Sequence, residues 1–98
     1  MQVANTILQQ LGGGRFIAMT GAKNFVGSDD SLQFALPGGT FSNGINRVRV
    51  TLTPADDYRV TAMRVRGTKF AVVDSSEGIY CDNLRDVFER MTGLRTSL

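Results

Sequence analysis

The 98 residues contain no histidine and a single cysteine, Cys81. Without histidine, the chain lacks the commonest general base and the commonest zinc ligand. One cysteine cannot build a disulfide framework or a structural zinc site, and it fits a reducing cytosol. Cys81 precedes the last expected helix, whose N-terminus would favour a thiolate. Free cysteine is among the most buried residue types, however, so Cys81 is expected to be a small buried side chain at the loop–helix junction. No apolar run approaches the ~20 residues of a membrane span. The start, MQVANTILQQ, lacks the basic n-region and long apolar stretch of a signal peptide, so a cytoplasmic protein is expected.

Phosphate-binding and metal motifs are also missing. Gly12, Gly13 and Gly14 follow a helical pattern, whereas phosphate cradles put glycines after a strand. Thr20–Lys23, TGAK, lacks the spaced upstream glycine and following Ser/Thr of a P-loop. Asp29-Asp30 and Asp56-Asp57 read as turn formers. Asp74, Glu77 and Asp82 share one connection, but their spacing matches no calcium loop. No cofactor and no catalytic constellation is expected.

What is present is a set of alternating strands. In Asn46–Thr53, Val48, Val50 and Leu52 alternate with Arg47, Arg49, Thr51 and Thr53, giving one apolar and one basic, hydroxylated face. In Tyr58–Val65 the residues Tyr58, Val60 and Ala62 alternate with Arg59 and Thr61. Pairing Leu52 with Tyr58 aligns Val50 with Val60 and Val48 with Ala62, and leaves Pro54–Asp57 as the turn. Beyond Ala62 the phase breaks: Met63 falls on the polar side and Arg64 on the apolar one. Either a β-bulge repairs it, or the strand leaves the core and Arg64 reaches solvent. Gly67 turns the chain into Thr68–Val73, where a two-residue and a three-residue turn give opposite facings.

Around this centre, Val3–Leu11 reads as a helix through Val3, Ile7 and Leu11, ended by the glycines. Arg15–Thr20 reads as a strand apolar on both faces, and Gly21–Asp30 as a polar loop whose Phe25 and Val26 close over the core edge. Ser31–Leu36 alternates, with Leu32, Phe34 and Leu36 inward, and Asn43-Gly44 signals a turn before the central strands. A loop follows Val73, and Asp82 is expected to cap a helix over Asn83–Thr92. Its stripe is Leu84, Val87, Phe88 and Met91, and Gly93 ends it. The order α, five strands, α predicts a single α+β domain over residues 1–98. It is an antiparallel meander with the N- and C-terminal helices on one face, leaving the other face open.

Charge singles out one surface. Residues 47–69 hold Arg47, Arg49, Arg59, Arg64, Arg66 and Lys69 against Asp56 and Asp57, net +4 in a chain of net +2. These six basic residues are the candidate contacts for an acidic protein or for a nucleic-acid backbone. No aromatic alternates outward on the best strand, which disfavours a base-stacking platform unless Phe70 faces out. An exposed terminal strand leaves both a monomer and an edge-paired homodimer open.

Three phrases carry a resemblance: Leu11–Phe25, LGGGRFIAMTGAKNF; Ile45–Tyr58, INRVRVTLTPADDY; and Ile79–Leu94, IYCDNLRDVFERMTGL. Together they cover most of the chain and resemble small accessory proteins of tailed bacteriophages and prophages. The resemblance transfers no catalytic motif. It implies a non-enzymatic accessory protein in the bacterial host cytoplasm. Such a protein would bind a host or phage protein, with inhibition of a defence complex of the CRISPR or restriction type as the expected role. Nucleic-acid binding through the arginine face is the alternative, and a small metal-dependent nuclease using Asp74 and Glu77 ranks third.

Overall fold

A computed structural model describes residues 2–36 and 45–92. Two helices, α1 (Gln2–Leu11) and α2 (Gly13–Thr20), lead into five strands and a closing helix. The strands are β1 (Lys23–Gly27), β2 (Ser31–Ala35), β3 (Arg47–Leu52), β4 (Tyr58–Arg66) and β5 (Lys69–Ile79); the helix is α3 (Leu84–Thr92). The strands form one antiparallel sheet in the order β1-β2-β3-β4-β5, with α1 and α3 packed on one face. This is the expected α+β meander. No helix among the described residues is long and apolar enough to cross a membrane.

The central hairpin has the expected register: Val48 faces Ala62, Val50 faces Val60 and Leu52 faces Tyr58. Its apolar face is fully buried at Val48, Val50, Val60 and Ala62. The Pro54–Asp57 turn is tied by side-chain bonds. Thr53 Oγ1 donates to Asp57 Oδ1 at 2.5 Å and accepts the Ala55 N–H at 3.2 Å. On β2, Leu32 and Phe34 point into the same core, opposite Val50 and Val48.

Three expectations about the strands are corrected. Arg15–Thr20 is not a strand but lies in α2. Gly12, at φ +127°, and Gly13, at φ +59°, break α1 and let the chain restart as a helix almost at once. A Cβ on Gly12 would stand 3.3 Å from Phe16 Cβ, so the glycine also permits close approach. Phe16 and Thr20, four residues apart, are then buried together, and Thr20 Oγ1 donates to the Phe16 carbonyl at 2.7 Å. Gly21 ends the helix in the left-handed region, its N–H on the Ile17 carbonyl at 2.9 Å.

The expected loop at 21–30 contains β1. Its alternation is hidden by a bulge: the register slips between Lys23 and Val26, and Asn24 takes φ +57°. The extra residue turns Phe25 onto the core while Val26 stays exposed. The expected loop after Val73 is likewise a strand, since β5 runs on to Ile79. Two register shifts against β4, one at Ala62/Met63 and one at Tyr58/Val60, carry it along the sheet edge. Gly78, at φ +68°, lies in the second irregularity.

The helix α3 begins one residue later than expected. Leu84 is its first residue, and Asn83 rather than Asp82 precedes it, with the Val87 N–H on the Asn83 carbonyl at 3.0 Å. Leu84, Val87, Phe88 and Met91 are buried as expected. Cys81 is exposed, contrary to expectation, because it lies in the Tyr80–Asn83 turn and outside the apolar stripe of α3. The Asn43-Gly44 turn and the Gly93 ending lie outside the described residues.

Phe34 stands at the middle of the core. Its ring meets Phe16 of α2 edge-on at 5.3 Å, Phe25 of β1 at 5.6 Å and Phe88 of α3 at 6.0 Å. Phe16 and Phe88 also meet edge-on at 5.1 Å. Truncating a buried phenylalanine costs about 3–5 kcal/mol, a large share of the ~5–15 kcal/mol that holds a small domain folded. Phe34→Ala is therefore expected to lower the urea midpoint by the equivalent of about 3 kcal/mol or more; a loss under about 1 kcal/mol would contradict this packing.

Burial pushes the Tyr58 phenol above its ordinary value of 10.0. A side-chain hydrogen bond with Gln10 acts in the opposite direction, and negative charge at nearby Cys81 acts in the same direction as burial. A phenol that ionises more easily unfolded than folded contributes stability below its unfolded pKa and loses it as pH rises through the folded value. Stability is expected to fall as pH rises above about 10. In Tyr58→Phe, denaturant titrations across that range should show a shallower decline than in the wild type.

Candidate functional site: the open sheet face and the β4–β5 arm

Side chains alternate along each strand, so burying Leu32, Phe34, Val48, Val50, Val60 and Ala62 turns a second set outward. Cross-strand register groups that set in rows. Gln33, Arg49, Thr61 and Ser75 form one row, and Ala35, Arg47, Met63 and Val72 the next. Ser31, Thr51 and Arg59 form a third. Two of these outward residues are nonetheless covered: Ala35 and Ser31 are buried. The Ser31 hydroxyl is satisfied by Ser28 Oγ at 2.6 Å.

β4 outruns β3. The last β3–β4 pair is Arg47 with Met63, and beyond it the chain continues to Arg66, turns at Gly67-Thr68 and returns as β5. A two-residue turn joins the directly opposed Arg66 and Lys69. Gly67 takes φ +57° at the first central position, as a Gly-first hairpin turn requires. The register left open by the sequence is thereby decided. Val65 lies opposite Phe70 and Met63 opposite Val72, all on the open face.

Asn46 holds the root of this arm. Its amide donates Nδ2–H to the Val65 carbonyl and accepts the Val65 N–H on Oδ1, each at 2.8 Å. The Asn46 backbone N–H donates to the Met63 carbonyl at 3.0 Å. One side chain thus imitates the next peptide of β3 and pairs both backbone groups of Val65 where β3 has ended.

The six basic residues divide between two faces. Arg47, Arg49 and Arg59 stand on the open face, where Arg59 Nε donates to Glu77 Oε1 at 2.9 Å in an exposed pair. Arg64 follows the phase of Val60 and Ala62, so it lies on the helix side, yet it is exposed because the arm has passed the end of the core. β4 therefore leaves the core as one of the two expected readings held, while the irregularity lies in its partner at Val73, the residue skipped in the register. Arg66 and Lys69 share the Arg64 face and oppose each other directly, a like-charge pair that costs stability. Among the described residues, Arg47, Arg49, Arg64, Arg66 and Lys69 have no ion-pair partner.

A groove on the open face is lined by Gln33, Arg47, Arg49, Met63, Val65 and Phe70, with the Gly67–Lys69 turn at its far end. Phe70 is 69% exposed and Val72 is 55% exposed. Arg47 is half-buried, and its Nε is enclosed without an acceptor among the described residues. The sequence pointed to the arginines but not to the apolar lining, because the facing of Phe70 hung on the turn length. Asp74, Glu77 and Asp82 do not converge: no group of three acidic or cysteine side chains among the described residues could hold a metal ion.

No family model, curated protein or solved structure matches the chain.

The Asn46 bridge gives the arm a measurable dependence. Asn46→Ala leaves the Val65 N–H and C=O without their partner, a loss of about 1–3 kcal/mol if they stay dry. Amide exchange at Val65 should accelerate well beyond any change at Val50 or Val60. Equal effects at all three amides would mean that Asn46 supports the whole domain rather than the arm.

Proposed function

We propose that this chain is a non-enzymatic binding module. It takes an acidic segment of a partner protein across the open face of β3–β5, with Phe70 as the apolar anchor and Arg47 and Arg49 as the charged contacts. The observation that carries this reading is the exposure of Phe70 beside Arg47 and Arg49, which have no carboxylate partner among the described residues. Interface centres are enriched in aromatic residues, Met and Arg, and Phe70, Met63, Arg47 and Arg49 line one groove. The enclosed Arg47 Nε–H has a donor to offer, and a carboxylate is the strong acceptor for it. The resemblance to phage accessory proteins makes a component of a host defence complex the partner class of first choice.

A second reading has its own observation. Phe70 faces out beside Arg47 and Arg49 and so supplies the aromatic that a base-stacking surface needs. Against it, sheet platforms stack two or three bases, and Phe70 is the one aromatic among the described residues that line this groove.

Binding measurements separate the readings. The purified protein would be titrated with acidic peptides carrying an aromatic or aliphatic residue, and with generic single- and double-stranded nucleic acid, at low and physiological salt. The protein reading expects peptide binding that falls at least tenfold in Phe70→Ala, a loss typical of an interface anchor. Since Phe70 is exposed, this variant should keep the wild-type unfolding midpoint. Steeply salt-dependent nucleic-acid binding lost in Arg47→Ala with Arg49→Ala would favour the second reading. Unchanged binding in both variants would remove this face from consideration.

A further inference from the structure

The outer edge of β5 is complementary to itself. The backbone groups of Val65 are both taken by Asn46, and the Met63 carbonyl by the Asn46 N–H, so these groups point toward β3. In an antiparallel ladder, a residue opposite one that points away also turns its own N–H and C=O outward. The residues opposite are Phe70 and Val72. β5 therefore presents the peptide groups of Phe70 and Val72 along its free side, and every residue from Lys69 to Ser75 is exposed. An exposed edge with apolar side chains is a template for another strand.

We propose that this edge pairs antiparallel with the same edge of a second copy, about a twofold axis passing midway between the two Ala71 residues. The two five-stranded sheets then become one continuous sheet. A twofold axis normal to the sheet keeps each side chain on its own face, so opposed residues must share a face. With Ala71 opposite Ala71, Phe70 of each copy falls opposite Val72 of the other, and the outward peptide groups of both meet as hydrogen-bonded pairs. An aromatic and a β-branched side chain then stand side by side on the open face, twice. Ala71 occupies the pair without hydrogen bonds, where strands approach most closely and a small side chain fits.

Charge selects the same register. The irregularity at Val73 brings Asp74 opposite Ala62, on the same face as Lys69. In the Ala71-centred register, Lys69 lies against the Val73–Asp74 step of the second copy, forming two symmetric lysine–aspartate contacts. Centring on Phe70 sets Lys69 against Ala71, and centring on Val72 sets Ala71 against the Val73–Asp74 step and Phe70 against Ser75. Neither brings the opposite charges together. This pairing uses the β5 edge and its backbone and needs no ligand in the face groove.

Sedimentation over a dilution series tests it, reaching about 1 mM, the weak end of measurable association. The wild type is expected to show a monomer–dimer equilibrium. Lys69→Asp and Asp74→Lys should each raise the dissociation constant about tenfold, since each replaces two attractions with repulsions. The double exchange, Lys69→Asp with Asp74→Lys, should restore it. Amide protection at Val65 would be followed in each variant to show that the arm stays folded. Arg47→Ala with Arg49→Ala is expected to dimerise as the wild type does. A monomer at every concentration overturns the proposal. So does a dimer indifferent to the single reversals, or one that the double exchange fails to restore.

Discussion

The ring of Phe34 ties four separate elements together. It belongs to β2, and it touches an aromatic on α2, on β1 and on α3. The sheet could not bury its apolar face alone, and the short helices would be marginal outside it. The aromatic cluster makes each the cover of the other. It also explains why α2 exists as a helix of only eight residues: Phe16 is held against both Phe34 and Phe88, and the glycines before it let the chain reach that position.

The core ends before the sheet does. Val48 and Ala62 form the last fully buried cross-strand pair on the central hairpin, while β4 and β5 continue to a turn at Gly67-Thr68. Past that point, alternation no longer sorts residues into buried and wet. Arg64 lies on the helix side and is exposed; Val65 lies on the open side among arginines. The arm therefore holds apolar and basic groups that the domain's own core does not need. Its conformation rests on local devices: the Gly67 turn, the β4–β5 ladder and the Asn46 amide. These devices fix Phe70, Arg47 and Arg49 relative to each other, which a binding surface requires.

The edge and the face of this arm present different chemistry. The face offers side chains, with Phe70 between cations; the edge offers peptide groups in a register that matches its own reverse. Binding at the face would depend on charge and hence on salt. Pairing at the edge would depend mainly on backbone geometry and on the side chains opposed across it.

The sequence by itself determined the α+β meander, α1, most of α3 and the register of the central hairpin. In each of these, apolar periodicity coincided with burial, so a pattern of 2 or 3.6 residues carried the answer. It also marked all six basic residues, because charge is read directly from composition. Tertiary structure alone decided the rest. Arg15–Thr20 has apolar residues in every phase, and packing of Phe16 among the aromatics selected the helix over the strand. β1 and the far half of β5 were hidden because Asn24 and the irregularities at Val73 and Gly78 shift the alternation that would have revealed them. Cys81 was expected inside and lies outside, because the helix starts later and its stripe begins at Leu84. The facing of Phe70 depended on whether the turn holds two residues or three, a choice that inverts every side chain after it. No local pattern records that choice. The pairing of Arg66 with Lys69 records it, and with it the composition of the candidate site.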